Sequence, residues 1–123
     1  MNEATIHSAP RSRLFQILDW TLRIVLALAF AAAGAAKLAG APPMIELFDK
    51  LGLGQWFRYV TALVEIAGAA LIIVPRTALY GAALLAVTMA CAIVAHFTII
   101  GPSAVPASIL LLLNLVVIYM RKP

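Results

Sequence analysis

The chain has 123 residues, of which 64% are hydrophobic and only 11% charged, with a net charge of +4. A soluble domain carries about a quarter charged residues, so a water-soluble globule is excluded, and a mean hydropathy of +1.04 points to a membrane protein. The few basic residues are scattered outside the apolar runs, a pattern that suits anionic lipid head groups and not nucleic acid.

Residues 1–16 read as a tail carrying Arg11 and Arg13. A first apolar span follows over about residues 17–38. Basic residues before an apolar run that ends in Ala31-Ala32-Ala33-Gly34-Ala35-Ala36 also describe a secretory signal. Arg23 interrupts that run, and the run is longer than the apolar core of about 7–15 residues that signals use. An uncleaved first span is therefore expected.

Pro42-Pro43 ends the first helical region and starts a new one. Met44, Leu47, Phe48 and Leu51 recur at i, i+3, i+4 and i+7, with Glu46, Asp49 and Lys50 on the other face. This is a short amphipathic helix closed by Gly52 and Gly54, expected to lie in the membrane interface across the mouth of the bundle. A solvated spacer loop is the alternative reading of the same residues.

Three further spans follow over about residues 57–74, 78–100 and 104–120, before a tail of residues 121–123. Each is near the roughly 20 residues that carry a helix across about 30 Å of hydrocarbon. None alternates polar and apolar residues, so membrane-spanning strands are excluded. Turns at Pro75-Arg76 and Gly101-Pro102-Ser103 make neighbours antiparallel. The predicted fold is all-α: an integral membrane four-helix bundle with a short amphipathic helix between helices 1 and 2.

Arg11, Arg13, Arg76, Arg121 and Lys122 fall at one end of this array, and Lys50 and Arg58 at the other, with Lys37 at the boundary. The bias places both termini in the cytoplasm and the chain in the inner (plasma) membrane. Trp20, Tyr80 and Tyr119 then mark one interface, Trp56 and Tyr59 the other.

The chemistry lies in polar residues inside the spans. Glu65 sits near the centre of an otherwise apolar run, where an ionised group costs a few kcal/mol. Arg23 and Lys37 share one Ala/Gly-lined face of the first helix, His96 is on the third and Asn114 on the fourth. Counting depth at about 1.5 Å per residue predicts two tiers: an Arg23–Glu65 pair near mid-membrane, and Lys37 with His96 closer to the amphipathic helix. Arg23, Lys37, Glu65 and His96 are the candidate ligand-binding residues. Each also has a purely structural reading: a register-fixing ion pair, a lysine reaching to head groups, an interfacial histidine. Asn114 is expected to make an interhelical hydrogen bond. A single cysteine, Cys91, excludes an internal disulfide, and no metal site is expected.

Four stretches, in this order and spacing, resemble the DoxX-like family of small four-helix membrane proteins. They are Leu22-Arg23-Ile24-Val25, Ala33-Gly34-Ala35-Ala36-Lys37-Leu38, Leu63-Val64-Glu65-Ile66-Ala67-Gly68 and residues 89–96. Phe48-Asp49-Lys50-Leu51-Gly52-Leu53 followed by Trp56 is similar to the family's loop. The resemblance implies an association with quinone- or thiol-linked redox metabolism, without an established reaction. No intrinsic cofactor is expected, and a quinone is the ligand the resemblance suggests for a pocket built from the polar residues. Partners compatible with this reading are the lipid bilayer, a membrane or redox-enzyme protein, and a second copy of the chain. Two other functions stay open: a non-enzymatic accessory or assembly subunit, and a proton-coupled small-molecule transporter. In small multidrug transporters the membrane carboxylate is on the first helix; here it is on the second, and the charge bias is clear.

Overall fold

The computed structural model describes residues 12–100 and 104–122, without the side chains of residues 99 and 100. The expected turn at Gly101-Pro102-Ser103 and the tail through Arg11 lie outside the described residues. Among those described, every regular element is helical.

Helix α1 spans Arg13–Ala39. Its first turn is capped by the Ser12 hydroxyl, which accepts from the Phe15 N–H at 3.1 Å. It ends at Gly40, whose φ of 72° turns the chain sharply enough for its N–H to reach the Lys37 carbonyl. Helix α2, Pro42–Leu51, follows at once, with proline in its first turn and Gly52 as a second left-handed terminus. The amphipathic helix expected from the sequence is therefore present. Phe48 alone in α2 is fully buried, and its ring packs 6.0 Å from Phe57.

Helix α3 covers Trp56–Ile73 and α4 Ala78–Ala95. The turn between them is held by the Thr77 hydroxyl, which donates to the Leu71 carbonyl at 2.7 Å. At the far end of α4 the chain widens into a π-helical turn, His96–Ile100, a departure that the apolar pattern does not announce. Helix α5, Val105–Arg121, completes the chain.

The long helices pack in a ring, α1 on α3, α3 on α4, α4 on α5 and α5 back on α1, while α2 rests on α3, α1 and the π turn. Leu26, Phe30, Ile72, Leu85 and Val117 fill the centre. The outside is equally apolar: Leu28, Leu63, Val87 and Leu112 are each at least 60% exposed. Such a surface is suited to lipid rather than water. Three helices, Arg13–Ala39, Trp56–Ile73 and Ala78–Thr98, are long and apolar enough to cross a bilayer; Val105–Arg121 is apolar but shorter. The molecule is a helical membrane bundle of the multi-pass kind.

Candidate functional site

Beneath α2 lies a cavity of about 620 Å³, walled by α1, α3, α4, the π turn and the start of α5. Most of its surface is apolar, contributed by residues such as Phe48, Val60, Val87 and Ala107. Several hydroxyls reach the wall, but their protons are already committed. Thr61 donates to the Phe57 carbonyl, Thr88 to Leu84 and Thr98 to Val94, each on its own helical segment. The other polar groups on the wall are Lys37, Glu65 and His96, with the exposed Cys91 thiol.

Glu65 is 2% exposed, and its Oε1 lies 2.7 Å from the Lys37 ammonium. This corrects the sequence expectation, in which Arg23 was the partner of Glu65. The reason is register, aided by side-chain direction. Arg23 reaches the carbonyls of Ile72 and Ile73, and the Lys37 carbonyl accepts from Arg58. Gly34 of α1 packs between Ala62 and Ile66, beside the turn that carries Glu65. Lys37 is three residues from Gly34 and Arg23 eleven, which at about 1.5 Å per residue puts them about 5 Å and about 17 Å from that level. Side chains on a helix lean toward its N-terminus, so Glu65 leans toward Arg58, and Lys37 leans back down α1 to meet it. Arg23 leans the same way down α1, which carries it away from Glu65.

Arg23 instead belongs to a second cluster at the opposite end. Its Nε and Nη2 donate to Asp19 Oδ2 at 3.3 and 3.1 Å, and Trp20 stacks 4.0 Å from the guanidinium. Asp19 is the group that sequence reasoning missed. Its position four residues before Arg23 was the available signal, since i and i+4 share a helix face.

His96 lies on the cavity wall with Lys37. Its Nδ1 is buried and has no hydrogen-bond partner among the described residues. Buried polar atoms are nearly always paired, and this nitrogen on the cavity wall is an exception. Asn114 departs from expectation: its Nδ2 donates to Leu110 on its own helix at 2.8 Å, not to a neighbouring helix. It lies away from the cavity. No group of three or more potential metal ligands occurs among the described residues.

A polar latch, unforeseen in the sequence, ties α2 over the cavity. Gln55 Nε2 donates to Asp49 at 2.8 Å and to the Ile45 carbonyl at 3.0 Å, both on α2. The Gln55 oxygen accepts from Arg58 Nε, and Arg58 Nη1 donates to the Lys37 carbonyl. In the sequence Arg58 counts only toward the charge bias between the two ends; it is 6% exposed.

No curated protein and no solved structure matches the chain. The sequence model of the DoxX-like family matches residues 21–118, a stretch that takes in the whole cavity and its polar wall. The chain belongs to the DoxX-like family.

Proposed function

We propose that this protein holds a small apolar, quinone-like molecule in the cavity beneath α2, within quinone- or thiol-linked redox metabolism. The observation that carries the reading is the wall itself. An apolar space of about 620 Å³ falls within the range of about 300–1,000 Å³ used by small-molecule sites, and it carries a few convergent polar groups. A quinone head group offers carbonyl oxygens as acceptors. The Lys37 ammonium has N–H groups beyond the one facing Glu65, and the unpartnered His96 Nδ1 lies on the same wall. The redox association itself is what family membership suggests; no side chain on the wall carries electrons.

In this reading all four long helices cross the membrane and both chain ends lie in the cytoplasm of a cell with a single or inner plasma membrane. The α2 side then faces outward. The charge distribution supports this orientation.

An accessory or assembly subunit is the second reading, and one observation favours it. Lys37 and Glu65 already form an ion pair with each other, as the members of a structural brace do.

The test is mass spectrometry of lipid-soluble molecules that co-purify with the full chain. A stoichiometric quinone, lost in His96→Leu while thermal stability holds, supports the ligand reading. An empty bundle that purifies with a stoichiometric protein partner supports the accessory one.

A further inference from the structure

A second concave site lies at the opposite end of the bundle, where α1 begins, α3 turns into α4, and α5 ends. It is a cavity of about 400 Å³ lined by Phe15, Gln16, Asp19, Trp20, Arg23, Pro75 and Arg121. One carboxylate here faces two guanidinium groups. Asp19 Oδ2 accepts from Arg23 and, at 3.3 Å, from Arg121 Nη1. The cavity therefore carries a net positive charge.

The two arginines are not equivalent. Arg23 is 1% exposed and occupied on three sides: by Asp19, by the carbonyls that end α3, and by the Trp20 ring. It is a fixture of the fold. Arg121 has a side chain 24% exposed. It donates once to Asp19 and once, at 2.8 Å, to the Pro75 carbonyl. A guanidinium has five N–H donors, so three have no partner among the described residues. Asp19 and Pro75 thus hold a rigid, planar fork in place with donors to spare, a geometry suited to phosphate oxygens.

Long-range charge points the same way. Among the described residues, Arg13, Arg23, Arg76, Arg121 and Lys122 gather at this end against Asp19 alone. At the α2 end Lys37, Lys50 and Arg58 are balanced by Glu46, Asp49 and Glu65. A general basic bias would only orient the protein in the membrane; a preset fork opening on a cavity adds a site. Trp20, 44% exposed beside it, supplies an apolar and aromatic flank of the type found at head-group depth. Asp19 and Arg121 both fall outside the stretch that matches the family.

We propose that this cavity binds a phosphate group, with Arg121 as the contacting fork, Asp19 as its positioning residue and Trp20 against the ligand's carbon skeleton. An anionic phospholipid of the adjoining leaflet presents such a group at this depth, and a soluble phosphate compound presents the same chemistry from the aqueous side.

The experiment is a lipid competition on the purified full chain in detergent, read by native mass spectrometry. Phosphatidylglycerol and phosphatidylcholine are supplied in equal amounts, and thermal unfolding is followed with and without inorganic phosphate. Phosphatidylglycerol should be retained in preference to phosphatidylcholine. Arg121→Gln should reduce that preference about tenfold, the scale of losing hydrogen bonds to a charged group. Lys50→Gln, at the other end, should leave it unchanged. Arg121→Lys keeps the charge without the fork and should fall between, which keeps the test informative should Arg121→Gln fold poorly. A lipid preference without protection by inorganic phosphate assigns the site to the leaflet. Protection by inorganic phosphate that Arg121→Gln removes assigns it to a soluble compound, and both results uphold phosphate recognition. Equal retention of the two lipids with no protection by phosphate, or a preference that Arg121→Gln does not change, overturns it.

Discussion

Lys37→Met removes the charge that faces Glu65 while keeping most of the side chain's length. The carboxylate left behind is 2% exposed and has no other ionic partner among the described residues. Stranding a buried charge costs about 3–5 kcal/mol, and the adjacent cavity can admit water to relieve it, so the low end, about 3 kcal/mol, is expected. Glu65→Leu is the milder change. It leaves Lys37, which is 14% exposed and near the end of α1, free to extend toward the head groups. Its cost should be about 1.5–3 kcal/mol, that of a hydrogen bond to a charged group. In the double variant no charge is stranded, and an apolar pair of similar volume should restore stability to within about 1 kcal/mol of the parent. The two sites are therefore coupled by about 3 kcal/mol or more, measurable by reversible unfolding of micelle-bound protein with increasing sodium dodecyl sulfate. Arg23→Leu and Glu65→Leu, which share no partner, should add to within about 0.5 kcal/mol. Additivity of the Lys37 and Glu65 changes, or strong coupling of Glu65 to Arg23, would refute the pairing.

Helix spacing offers a second test. A Cβ at Gly81 would stand 2.6 Å from the Ile72 backbone nitrogen, and one at Gly68 would stand 2.5 Å from the flexible end of Leu85. Gly81→Ala should therefore cost the upper part of the roughly 1–3 kcal/mol typical of overpacking, and Gly68→Ala less; the same unfolding assay should show that order. Arg58→Met breaks the latch at a 6% exposed site and should raise amide exchange across α2 selectively, by hydrogen-exchange mass spectrometry, with a stability loss of about 1–3 kcal/mol. Uniform exchange throughout the chain would show that the latch does not govern α2. Reporter fusions after Pro123 and within residues 41–54 should lie on opposite sides of the membrane, and matching locations would contradict the proposed four crossings.

The helices could be read from the sequence because long apolar runs between proline- and glycine-rich breaks allow little else in lipid. The amphipathic α2 was equally legible from the spacing of Met44, Leu47, Phe48 and Leu51. Lys37, Glu65 and His96 could be identified as unusual for the same reason, since each interrupts an apolar run and each reaches the same cavity. Their pairing was not legible. Counting residues gives the height of a Cα, but a lysine and a glutamate reach several ångströms along the axis, in opposite senses on antiparallel helices. Asp19 was passed over because it stands near the start of its span, where a carboxylate is unremarkable until the Arg23 and Arg121 side chains are seen around it. The π turn at His96 leaves no mark in hydropathy, and the burial of Arg58 depends on the carbonyl of Lys37, which no side-chain pattern encodes.

The unequal lengths of α1 and α5 bear on the surrounding bilayer. At about 1.5 Å per residue, the 27 residues of α1 rise about 40 Å and the 17 of α5 about 26 Å, yet the two are in contact. A hydrocarbon layer of about 30 Å is thinner than the first and thicker than the second. Tilt accommodates a long helix, whereas a short one draws the bilayer inward. With α5 as a crossing, Arg121 and Lys122 at its end would meet head groups at that lowered level. One flank of the protein therefore favours a locally thinned leaflet. Lipids with shorter acyl chains should collect along α5, and the protein should be most stable in bilayers whose hydrophobic thickness matches α5.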